Sequence, residues 1–203
     1  MSAIDKLVSA ITPTVSEEKR EKAHARARAE ALPGGWLSQI LDQHESIARE
    51  FSEVRAAPEA RTRRLSEKRL AVLLTGHTTA EEAAVYPALA RVHEAGHAHK
   101  AYNEHAAVKI QLAELETLDP MSEAYLDKLG HLEGVVAHHL FEEENEWFLE
   151  LQIRATTTEN ERITARFREE FDRYTRPQAA PPSPGIRPEP EPRSFTDDRP
   201  SAG

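Results

Sequence analysis

The chain reads as an all-α protein, an antiparallel up-down-up-down four-helix bundle with extra N- and C-terminal helices and a disordered C-terminal tail. Apolar residues recur at helical spacing from Trp36 to about Tyr174. No stretch sustains the alternation of a strand or offers a two-residue hairpin turn. Proline and glycine punctuate the periodic region, leaving four helices of bundle length between them.

The first core helix follows Pro33-Gly34-Gly35 and runs to about Ala57, with Leu37, Ile40, Leu41, Ile47 and Phe51 as its apolar stripe. Pro58 begins the second, which carries Leu65, Leu70, Leu73 and Leu74, is bent or loosened by Pro87, and ends near Gly96. A third, from about Ala98 to Leu118, places Val108, Leu112 and Leu115 at core spacing, and Asp119-Pro120 terminates it. Ser122 is placed to cap a fourth, which continues through Leu126, Leu129, Leu132, Val136, Trp147 and Leu151. Thr156, Thr157 and Thr158 interrupt the pattern before a further helix, Glu159 to Tyr174. The divisions are an N-terminal helical extension (1–32), the bundle (33–155), a C-terminal helix (156–175) and a Pro-rich tail (176–203). The extension holds a short apolar helix, then SEEKREKAHARARAEA, whose mixed charges suit a solvated or docked helix. The tail has too few large apolar residues to fold.

A hydrophobic fraction of 39% in 203 residues supports one core. Net charge is -9, so neither nucleic acid nor an anionic membrane is an expected partner. There is no secretory signal and no run of apolar residues long enough to span a bilayer, so a soluble, cytoplasmic protein is expected. The absence of cysteine excludes disulfides, thiolate metal sites and cysteine nucleophiles. Ten histidines among many glutamates leave nitrogen and oxygen ligation as the available metal chemistry.

The second and fourth helices align without a gap, His77-Thr-Thr-Ala-Glu81-Glu82 on His139-Leu-Phe-Glu-Glu143-Glu144, with Leu70, Leu73 and Leu74 answering Leu132, Val135 and Val136, and Tyr86 answering Phe148. Each puts a His and a Glu at i and i+4, on one face and one turn apart. The first and third helices correspond through Asp42-Gln-His44 and Asn103-Glu-His105, each histidine on its apolar stripe. The pattern is His, His-x3-Glu, repeated as two helical hairpins, which lets all four histidines reach a similar height in a bundle.

An inward ring of four imidazoles and two carboxylates without partners would cost roughly 1–3 kcal/mol per group. Two divalent cations sharing both carboxylates and a bridging hydroxide or oxide, with two imidazoles each, balance that charge. Imidazole with carboxylate suits iron, manganese or zinc.

At these residues, over about Trp36 to Leu151, the sequence resembles the hemerythrin-like HHE cation-binding family. The resemblance implies a non-haem di-iron centre with His44, His77, Glu81, His105, His139 and Glu143 as metal ligands, Glu81 and Glu143 bridging. It further implies the binding or sensing of a small gaseous or peroxide ligand, O2, NO or H2O2. The chain departs from the oxygen-carrying hemerythrins of invertebrates: Ala101 stands where their third helix has another ligand histidine, and their fourth-helix carboxylate is a differently spaced aspartate. Fewer nitrogens leave room for a reacting ligand, so a di-iron oxidase, peroxidase or NO scavenger is the second reading. A zinc or manganese structural or storage bundle is the third.

Blander readings compete at several positions. His138 and Glu142 are also four apart and could replace His139 and Glu143. Glu82, Glu104, Glu142, Glu144 and Glu146 read as solvated charges, and His24, His93, His97, His99 and His131 as surface residues. Tyr102 is either a hydrogen-bond donor behind the site or a packing residue. Arg61, Arg63, Arg64, Lys68 and Arg69 read as a solvated helix face.

Overall fold

The computed structural model describes residues 15–92 and 96–176. The short apolar helix of the extension, His93 and the Pro-rich tail from 177 onward lie outside the described residues. Every regular element among the described residues is helical. In chain order they are α1 (Glu17–Glu30), α2 (Trp36–Ala56), α3 (Ala60–Ala80), a π-helical segment π1 (Glu81–Val85), α4 (Tyr86–Val92), α5 (Gly96–Glu116), α6 (Glu123–Glu142), a second π segment π2 (Glu143–Trp147), α7 (Phe148–Arg154) and α8 (Thr157–Thr175).

Local chemistry sets the ends. Gly34 turns the chain between α1 and α2 at φ 71°, a left-handed conformation that glycine adopts without strain. Ser122 Oγ accepts from Tyr125 N at 3.2 Å and caps α6. Thr156 and Glu159 form a reciprocal capping box that starts α8 within the threonine run.

Helix α2 packs against α3 and α6, α5 against α6, and α3 against α5. The outer helices share this core. α8 lies along α3 and π1, burying Ile163 and Phe167, and α1 lies against α2 and π2 through Ala23 and Ala27. The mixed-charge segment is therefore a docked helix.

The stripe of α3 runs through Arg63, Ser66/Glu67, Leu70, Leu74 and His77, so the phase differs from that expected. Leu65 falls off it and is 52% exposed. Arg63, expected in solvent, is 7% exposed. Its guanidinium donates to Pro120 O (2.7 Å), Ala57 O (2.7 Å) and Arg55 O (3.4 Å). It thereby satisfies carbonyls that the end of α2 and the α5–α6 connection leave unpaired. Arg64 donates to Glu67 and to Leu118 O.

Two apolar clusters fill the interior. One gathers Trp36, Leu37, Ile40 and Leu41 with Trp147, Phe148 and Phe167. The other gathers Ile47, Phe51, Leu70, Leu74, Val108, Leu112, Leu132 and Val136. On α2 the boundary between them is His44, on α5 His105, and on α6 with π2 it is His139 and Glu143. A belt of polar side chains thus crosses the middle of an otherwise apolar core.

Candidate metal centre

α2 and α5 each deliver one histidine to the belt, while α3 with π1 and α6 with π2 each deliver a histidine and a glutamate. His44, His77, Glu81, His105, His139 and Glu143 are all buried, none more than 3% exposed. One ligand atom from each of His44, His77, Glu81 and Glu143 lies within 4.8 Å of the others, and the same holds for Glu81, His105, His139 and Glu143. The two groups share Glu81 and Glu143.

Every central histidine is held by its outer nitrogen. His44 Nδ1 donates to Glu144 Oε1 (2.7 Å), His77 Nδ1 to Gln43 Oε1 (2.9 Å), His105 Nδ1 to Glu82 Oε1 (3.0 Å) and His139 Nδ1 to Glu104 Oε2 (2.8 Å). A proton on Nδ1 leaves the Nε2 lone pair facing the centre, which is the tautomer a ligand imidazole needs. The Nε2 atoms stand 3.3–3.5 Å from the shared carboxylates.

Glu82, Glu104 and Glu144 are thus not free solvated charges. Lys109 and Lys100 neutralise Glu82 and Glu104 from outside, and the carboxyls of Glu82, Glu104 and Glu144 are held below the ordinary value. Burial is the largest influence and acts upward on each, but the hydrogen bonds and charges of His105 and Lys109 on Glu82, of His139 and Lys100 on Glu104, and of His44 and His24 on Glu144 together outweigh it. Their signal lay in the hairpin repeat, which aligns Gln43 with Glu104 and Glu82 with Glu144.

His138 and Glu142 take the outer flank of α6. His138 Nε2 is 3.7 Å from Glu142, whose carboxylate also binds Lys100. Glu146 and His99 are exposed, whereas His24, His97 and His131 are half-buried, contrary to the surface reading. Tyr102 Oη donates to Glu82 O (3.1 Å), and its ring meets Tyr86 edge-on at 5.4 Å.

Tyr86 is the residue that sequence reasoning passed over. Its buried hydroxyl donates to Glu143 Oε1 at 2.7 Å and lies 2.9 Å from His105 Nε2, 3.3 Å from His139 Nε2 and 3.4 Å from Glu81 Oε2. It reaches inward because π1 closes with Tyr86 N–H on Glu81 O, one residue wider than an α turn. π2 does the same with Phe148 N–H on Glu143 O. π1 lies just before Pro87, whose ring disfavours an α turn there, whereas π2 is as wide without a proline.

His44 Nε2, His77 Nε2, Glu81 Oε1 and Glu143 Oε2 are buried without a hydrogen-bond partner. His105 Nε2 and His139 Nε2 are 3.0 Å apart, a separation that two lone pairs tolerate only with a proton or cation between them. Burial, then the neighbouring histidines, push His77 well below its ordinary pKa. Burial and then Glu143 push Glu81 well above its own. Nitrogen and oxygen lone pairs converging within 4.8 Å of one another in two groups fit divalent cations.

The model of the hemerythrin HHE cation-binding domain matches residues 37–151, more than half of the chain. The chain belongs to that family. α1 and α8 lie outside the matched region of this hemerythrin-like protein. It is also similar to a DNA nickase of Nostoc sp., 24% identical over 95 residues, which are 47% of this chain and 27% of the nickase. The chain thus spans about a quarter of that relative's length. No solved structure matches it. Among the described residues, no helix is long and apolar enough to cross a membrane.

Proposed function

We propose that this hemerythrin-like domain, an up-down-up-down four-helix bundle, holds two iron ions and binds or senses a small ligand, O2, NO or H2O2. The observation that carries the reading is the pair of four-residue groups joined by Glu81 and Glu143. His44 and His77 would hold one ion, His105 and His139 the other, and the two glutamates would bridge them. When bound, the iron pair supplies valence change and open positions for an exogenous ligand. The chain's own part is orientation and exclusion. Glu144, Gln43, Glu82 and Glu104 fix the imidazoles, while the apolar clusters keep bulk water from the belt.

Metal analysis with ultraviolet–visible spectra before and after aerobic oxidation tests this. Two iron ions per chain and a visible band that appears on oxidation are expected, with both diminished in His77→Ala and unchanged in His138→Ala. Iron well below two per chain with no visible band overturns the reading, and dominant zinc or manganese would support the structural or storage alternative.

Tyr86 favours a turnover reading, as oxidase, peroxidase or NO scavenger. A phenol donating to Glu143 at 2.7 Å can hydrogen-bond and polarise a ligand beside it, while burial, Glu143 and Glu81 keep the proton on its oxygen. Steady consumption of peroxide or NO, lost in His77→Ala, supports turnover; stoichiometric binding alone rejects it.

A further inference from the structure

The acceptor behind His44 has a second donor. Glu144 Oε1 takes the His44 Nδ1 proton at 2.7 Å and that of His24 Nδ1 at 2.9 Å. The other nitrogen of His24 faces Glu45 Oε1 at 3.1 Å, and Arg28 binds Glu45 (2.8 Å) and Asp42 (2.7 Å). A continuous file of polar contacts therefore runs from the centre to the exposed flank between α1 and α2. His24 and Arg28 belong to α1, before the first residue of the family match. Glu82 and Glu104 have lysines from the same core helix, α5, as counter-charges. Glu144, more deeply buried, takes its second donor from α1.

We infer that His24 is a positioning residue of the metal centre: by donating to Glu144 it fixes the carboxylate that aims His44, and so makes α1 part of the site. The inference rests on the proposed two-metal reading. A carboxylate can turn about its last torsion, and with a single donor either oxygen serves. Two donors converging on Oε1 remove that freedom, and with it the freedom of the His44 ring. The histidine need not touch a metal to act in this way.

The test is Co(II) and Fe(II) loading of the full chain under anaerobic conditions against a competing chelator. His24→Ala is compared with His24→Asn, whose amide nitrogen falls near the place of Nδ1, and with Arg26→Ala. Arg26 anchors α1 by donating to Asn145 O and has no part in the file. Removing a group that supports a ligand typically weakens metal binding by about 10–100-fold, and His24 acts one step further out. His24→Ala is therefore expected to weaken one of the two Co(II) ions by about 3–10-fold and to shift the visible cobalt bands. His24→Asn should restore most of that, and Arg26→Ala should leave both ions unchanged. Equal weakening in His24→Ala and Arg26→Ala would show that α1 acts only by docking and overturns the inference, as would two unaltered ions in His24→Ala. A wild-type chain that takes up no pair of ions overturns the two-metal reading itself, a result these variants cannot imitate.

Discussion

Tyr86 Oη donates a 2.7 Å hydrogen bond to Glu143 Oε1 and lies within 3.4 Å of an atom of every other member of the Glu81, His105, His139 and Glu143 group. The equivalent place in the other hairpin is filled by Phe148. The hydroxyl thus makes the two halves of the centre chemically unequal. Tyr86→Phe is expected to keep two metal ions per chain while changing the visible spectrum of the oxidised iron form. An unaltered spectrum would place the phenol outside the ions' surroundings.

Arg63 satisfies three carbonyls where α2, α3 and the α5–α6 connection meet. Arg63→Met keeps much of the side chain's bulk and removes all three donors. A loss of about 2–4 kcal/mol is expected by urea denaturation, from buried carbonyls left unpaired. A change within experimental error would mean that water takes over the guanidinium's role.

Gly134 and Gly76 both sit within helices, and both give up helical stability relative to alanine. A Cβ at Gly134 meets nothing within 4 Å, whereas one at Gly76 would approach Thr175 Cγ2 to 2.8 Å and Phe171 Cδ2 to 3.3 Å. Gly134→Ala should therefore raise stability by about 0.5–1 kcal/mol. At Gly76 the collision with α8 should cancel or reverse the gain, which parallel thermal melts would reveal.

Glu45 gives the docking of α1 a pH dependence. Burial acts to raise its carboxyl, but hydrogen bonds from Arg28 and His24 outweigh this and hold it below 4.5. Because the folded value lies below the unfolded one, its contribution is complete above about 4.5 and is lost as pH falls through the folded value. Hydrogen exchange followed down the pH scale should show α1 amides losing protection before those of α5 and α6. Simultaneous loss would show that this carboxylate does not hold α1 in place.

The central six side chains were legible because their spacing is duplicated: one histidine, then His-x3-Glu, twice. Gln43, Glu104, Glu82 and Glu144 obey the same duplication yet looked solvated. Residues adjacent on a helix diverge by about 100°, and only the neighbouring helix decides whether such a flank meets water or an imidazole. Tyr86 was harder to see. Five residues beyond Glu81 on a regular α-helix is about 140° off its face, so its inward direction depends on π1, which no local propensity announces. The phase of α3 went astray because Leu65 looked more apolar than Arg63, although the backbone carbonyls at the end of α2 needed the guanidinium.

The two π segments impose a constraint of count as well as of kind. With five residues from Glu81 to Tyr86 and from Glu143 to Phe148, closing either turn as an ordinary α turn would place the aromatic about 140° from the glutamate's face, whereas a four-residue interval on an ordinary turn would place it about 40° away. In the first case the aromatic ring would leave the interior, and α4 or α7 would present its polar flank to the core. Homologues of this chain should therefore vary freely in loop length while pairing a five-residue interval from glutamate to aromatic with the wide turn and a four-residue interval with an ordinary one.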